Sequence, residues 1–131
     1  MPQKSGKQLY KTIFGKSDIK CVEVLQSRDA IAMDDQMIYL HFKACPEEIH
    51  RIVSLQPYSI ERLGKQGIES HQPTFANTDE SLIPYVPKWW DIRKLGDSCI
   101  RFYYKWEDKD YSQVGYMSID SSEVFYREDS W

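Results

Sequence analysis

The 131-residue chain is predicted to form one α+β domain, a mainly antiparallel sheet of about five strands with one short helix packed on one face and a long loop. Three observations lead there. The last third alternates apolar and polar residues through consecutive runs, which is the period of a strand. A single helical stripe follows Pro46. From 65 to 97 no period is sustained. The length amounts to one domain, residues 1–131, that buries roughly two-thirds of the surface its unfolded form exposes.

Residues 1–16 are polar and basic apart from Leu9, Tyr10, Ile13 and Phe14, and read as a flexible arm or a short edge strand. Ile19 to Leu25 is β-branched and roughly alternating, with Ser17-Asp18 before it and the turn formers Ser27-Arg28-Asp29 after it, so it is predicted to be a strand. After Asp34-Asp35, the run Met37 to Phe42 sets Ile38, Leu40 and Phe42 on one face and Met37, Tyr39 and His41 on the other. The two strands suit an antiparallel hairpin.

At Cys45-Pro46-Glu47-Glu48 the period changes. Proline suits the first helical position, and acids in the first turn complement the helix dipole. Ile49, Ile52 and Val53 then form a narrow apolar stripe before Pro57 stops the helix. Ser59 to Leu63, closed by Gly64, is predicted to add one more helical turn. The segment 65–97 is the long loop, broken by Gly67, Pro73, Asn77, Pro84 and Pro87, and long loops in compact domains often bind or cover something.

The C-terminal third is predicted to be a three-stranded meander. Cys99 to Trp106 and Tyr111 to Ile119 flank the turn Glu107-Asp108-Lys109-Asp110, and Glu123 to Arg127 follows Asp120-Ser121-Ser122. On its first strand Ile100, Phe102, Tyr104 and Trp106 share the face expected to enter the core.

Composition narrows the function classes. Hydrophobic residues make up 41% and charged residues 28%, a globular balance. The formal charge of -3 gives little attraction for phosphate backbones, so nucleic acid is not an expected partner. No window approaches the roughly 20 apolar residues of a membrane span. The N-terminal residues carry positive charge without a following apolar block, so the chain reads as cytoplasmic. Cys21, Cys45 and Cys99 are odd in number and lack a C-x-x-C pair, which predicts reduced, mostly buried thiols.

His41, Cys45 and His50 join the second strand to the helix and have ligand types that suit zinc, but no fourth ligand or paired spacing accompanies them, so no metal or other cofactor is expected. Cys45 lies just before a helix start, where a thiol can be activated, yet no orienting third group is suggested and no catalytic residue is assigned. The paired acids Asp34-Asp35, Glu47-Glu48 and Asp79-Glu80 sit in turns or at a helix start, positions that favour acids for local reasons. No phosphate loop, nucleophile elbow or dinucleotide fingerprint occurs.

The segments "FKACPEEIHRIVSL", "PKWWDI" and "IRFYYKWEDKDYSQVGYMSIDSSEVFY" together resemble a loose group of small bacterial proteins in which a Pro-x-Trp-Trp segment precedes a terminal β-meander. Some members look like lipoproteins, whose lipid-attachment signal is missing here, and others look like immunity or accessory proteins of bacterial conflict systems. The resemblance implies a fold and brings no catalytic residues with it.

Nine tyrosines, four tryptophans and five phenylalanines, concentrated in the second half, are more than one core face holds. Partly exposed tyrosine and tryptophan make good interface anchors because they bury large area at small entropic cost. Trp89 is expected in the core, three residues from Ile92 in a helical turn, and Trp90 on the rim. Tyr85, Trp90, Tyr103 and Trp106 are the expected binding residues. The reading is a non-enzymatic protein-binding domain, an inhibitor or immunity-like accessory protein whose partner is another protein or a second copy. Its competitors are a small-molecule-binding or hydrolytic domain, with a pocket between sheet and loop near His41, His50 or His71, and a structural homodimer subunit.

Overall fold

A computed structural model of the chain describes residues 5–15, 21–32, 35–74 and 76–131. Their order is α1 (Gly6–Phe14), β1 (Glu23–Ala32), β2 (Asp35–Lys43), α2 (Pro46–Val53), β3 (Ser59–Leu63), α3 (Lys65–His71), 3-10 turns at Ile83–Tyr85 and Ile92–Leu95, then β4 (Cys99–Lys105), β5 (Tyr111–Met117) and β6 (Glu123–Ser130). The strands form one six-stranded sheet in the order β1-β2-β6-β5-β4-β3, with every neighbouring pair antiparallel. The α+β class holds, with six strands instead of five.

Both faces of the sheet are covered, and this explains where so many aromatic residues go. On one face Leu40, Phe42, Phe102, Val124 and Tyr126 meet Leu9, Tyr10 and Phe14 of α1 and Ile49 and Ile52 of α2. On the other, Tyr39, Val114, Tyr116 and Phe125 meet Ile68 of α3 together with Trp90 and Ile92. Alternate residues along β2 therefore supply two cores, and the same split separates Phe102 from Cys99 and Tyr103 on β4. The expectation of one core face on β4 gives way to two.

The amino-terminal segment is a correction. The described part of the expected arm is helix α1: Ser5 accepts from the Gln8 amide while the Gln8 side chain accepts from the Ser5 amide, and Leu9, Tyr10 and Phe14 are buried. Residues 1–4 and 16 of that arm, like Ile19 and Lys20 of the first expected strand, lie outside the described residues. β1 continues through Ser27-Arg28-Asp29 to Ala32, because each of these residues has a cross-strand partner on β2. The turn formers are overridden by pairing.

Tertiary pairing also decides β3. Ser59 to Leu63 does not add a helical turn but pairs with β4 as the far edge strand, Ile60 opposite Phe102 and Leu63 opposite Cys99. The expected loop is not structureless either: α3 and two 3-10 turns lie within 65–97 and cover the second face.

Two thiols are not reduced. Cys21 and Cys45 are joined by a disulfide, with Cα atoms 5.6 Å apart, and only Cys99 is free and buried. Pro46 opens α2 as expected, with Cys45 as its N-cap.

The tryptophan assignment is reversed. Trp90 is 3% exposed and its ring meets Tyr39, Tyr116 and Phe125 at centroid distances of 5.2, 6.3 and 5.5 Å, whereas Trp89 is half-buried. The cause is the backbone at Asp91, whose φ of -147° and ψ of 96° are extended. An extended residue turns alternate side chains to the same side, so Trp90 goes inward with Ile92, and the three-residue helical spacing that favoured Trp89 does not apply.

Candidate ligand groove

One side chain ties two parts of the loop together. Gln72 is buried, donates from Nε2 to the Trp90 carbonyl at 2.8 Å and accepts from the Ile92 amide at 2.9 Å, so residues 72 and 90–92 are tied together. Asn77 adds bonds to the Ser70 and Gln72 carbonyls. Between strands β2 and β6 and the loop residues Pro73, Thr78, Leu82 and Val86 lies a groove of about 320 Å³. Met37, Tyr39, Arg127 and Asp129 form its sheet side, and Pro73, Leu82 and Val86 its loop side. A second compartment of about 570 Å³, sharing Pro73 and Val86, continues past Arg28 and Lys88 to Trp90.

Charge is concentrated on the sheet side. Arg28 pairs with Tyr39 across β1 and β2, and Tyr39 pairs with Arg127 across β2 and β6, so two arginines flank one tyrosine in a row. Arg127 Nε is 2.9 Å from Asp129 Oδ2, an ion pair on the buried side of the guanidinium. Burial pushes the Asp129 carboxyl up despite the guanidinium beside it. Burial also raises the Tyr39 phenol, which Arg127 and Arg28 pull back down.

The sequence-predicted residues do not converge here. Trp90 is buried at the inner end of the second compartment and is not a rim residue. Tyr85 and Tyr103 pack, partly buried, against the loop-side core, with the Arg101 guanidinium 4.7 Å above the Tyr103 ring. Trp106 stands between Tyr104 and Tyr111, at 4.5 and 4.6 Å. Tyr85, Trp90 and Tyr103 thus share one cluster, and Trp106 packs with Tyr104 and Tyr111 instead.

The histidines are dispersed. His41 stacks on Phe125 at 4.0 Å, with Nε2 2.7 Å from Glu123 and Nδ1 3.0 Å from Gln26. His50 is exposed on α2, and His71 Nδ1 lies 3.2 Å from the Tyr116 hydroxyl, its basicity lowered by burial and by Arg101. Cys45 is held in the disulfide. Among the described residues no group of three or more His, Cys, Asp and Glu is placed to hold a metal ion.

Arg127 and Asp129 were the residues missed. Their signal was a run of three charges, Arg127-Glu128-Asp129, inside the last strand of the meander, where the central position faces one core and its neighbours the other. No helix among the described residues is long and apolar enough to cross a membrane. Comparison with known proteins finds no matching family, no matching curated protein and no matching solved structure.

Proposed function

We propose that the chain is a binding domain that holds a small molecule in the groove between the sheet and the 72–90 segment. The observation that carries this reading is Arg127, a guanidinium side chain only 34% exposed that lines a concave, mainly apolar site. A guanidinium offers five donors, and donors withdrawn from bulk water are costly to leave unmatched. Concave, mainly apolar sites with a few converging polar groups are the usual form of small-molecule sites. Leu82 and Trp131, 38% and 48% exposed, both line the groove and are the apolar surface that an occupant would cover.

We place this reading ahead of the expected aromatic protein-binding surface because Trp90, one of that surface's four expected anchors, is internal. The test is a fragment screen by amide NMR on the full chain. Shifts clustered on Tyr39, Val86 and Arg127, abolished by Val86→Trp in a folded variant, support the groove. Saturable fragments whose shifts lie only elsewhere refute it.

A second reading keeps a protein partner, and one observation favours it. β1 is a long edge strand whose Ile31 is 70% exposed, and unpaired edges accept strands from other chains. Light scattering of the chain and of Ile31→Lys tests whether that edge pairs two copies. The Cys21–Cys45 bond supports an oxidising compartment in place of the expected cytoplasm.

A further inference from the structure

We infer that the groove takes an organic carboxylate with an apolar body, a monoanion whose head lies between Arg28 and Arg127. This rests on the groove being the ligand site and adds the chemistry of the ligand. Three features argue for it together.

The first is the row Arg28–Tyr39–Arg127 across three adjacent strands. Neighbouring strands are about 4.8 Å apart, so the two arginine backbones stand about 10 Å apart with the phenol between them. That spacing lets two flexible guanidinium groups converge on one small anion from opposite sides. Guanidinium groups bind carboxylates through paired, charge-assisted hydrogen bonds.

The second is the charge balance of the lining side chains. The two compartments contain Arg28, Lys88 and Arg127 against Asp35 and Asp129. Three cations less two carboxylates leave one positive charge, which matches a monoanion. A phosphate dianion would bring one negative charge too many into a site that already holds two acids. Asp129 opposes an anion least, because it already lies against Arg127.

The third is the apolar wall. Met37, Leu82, Val86 and Trp131 surround the space beyond the arginine row, and a hydrocarbon body there would cover Leu82 and Trp131. Burial of such surface contributes about 25 cal/mol per Å².

The experiment is a set of NMR titrations of the labelled full chain with heptanoate, heptanamide, heptylamine and heptyl phosphate. Heptanoate is expected to shift Tyr39, Val86 and Arg127 and to bind about tenfold or more tightly than the amide. Arg28→Gln, at an exposed position that cannot disrupt the fold by burial, is expected to erase most of that preference, and Arg127→Gln the rest. Amide binding as tight as the acid overturns the carboxylate while leaving the groove standing. Tighter binding of the amine or of the phosphate overturns the monoanion. Groove shifts with none of the four overturn both the ligand class and the site.

Discussion

Gly115 on β5 faces Phe102 on β4 so closely that a Cβ on the glycine would lie 2.0 Å from the ring Cζ. The Phe102 ring occupies the space a side chain would need, and it is itself held by Tyr58 at 5.1 Å. Gly115→Ala is expected to destabilise the fold by about 1–3 kcal/mol through overpacking. Urea denaturation checks this, and a Phe102→Leu background should make the alanine less costly.

Tyr10 of α1 donates a 2.5 Å hydrogen bond to Glu48 of α2, a fully buried acid that also receives Arg51 at 2.6 and 3.0 Å. Burial and the adjacent carboxylate hold the phenol protonated. Arg51 also reaches the Phe14 carbonyl at 2.7 Å and so secures the end of α1. Tyr10→Phe keeps the ring and removes only the donor, and should cost about 1.5–3 kcal/mol, as expected for a hydrogen bond to a charged group. Equal denaturation midpoints for Tyr10→Phe and the parent would contradict this.

Reduction should matter to the stability of the fold. The disulfide closes a loop over a sequence separation of 24, which in the chain-entropy account contributes about 3 kcal/mol. Alkylation under denaturing conditions without reductant should label Cys99 alone, and prior reduction should expose all three cysteines. Cys21→Ser with Cys45→Ser should then reproduce the reduced protein's lower midpoint in urea.

Glu128 should make stability fall with rising pH. Burial, with help from Asp129, pushes its carboxyl from 4.5 up to about 7, so the folded chain binds a proton that the unfolded chain has already released. The favourable contribution is fully present below 4.5 and is lost as pH rises through about 7. Asp129, also raised, acts in the same direction. Glu128→Gln should flatten this fall, and above pH 7 it should be more stable than the parent by at most about 3 kcal/mol. Denaturant midpoints between about pH 5 and pH 8 provide the check.

What could be read from sequence was whatever local pattern and tertiary pairing both favoured. Pro46, two acids and an apolar stripe define α2, and turn residues separate the strands of the meander. β3 was lost because only Leu63 of its five residues is buried, so it shows no alternation. α1 was lost because its capping box uses Gln8 where glutamate would be a stronger cue, and because a nine-residue helix leans on packing more than on propensity. The groove was harder still. β6 is buried on both faces, so Arg127 and Asp129 could not be assigned a side, and their proximity to Leu82 depends on Gln72 finding residues 90–92. The location between sheet and loop was legible in the long unpatterned segment, but its chemistry was not.

The position of β6 has a consequence for the order of assembly. It lies between β2 and β5, pairing Gln36 with Ser130 on one side and Tyr111 with Ser130 on the other. Before residues 123–130 leave the ribosome, the β1–β2 hairpin and the β3–β4–β5 group have no backbone hydrogen bonds to each other, and both leave aromatic faces uncovered. The two groups therefore become one sheet only when β6 inserts between them, which makes its pairing with both the step that joins the fold.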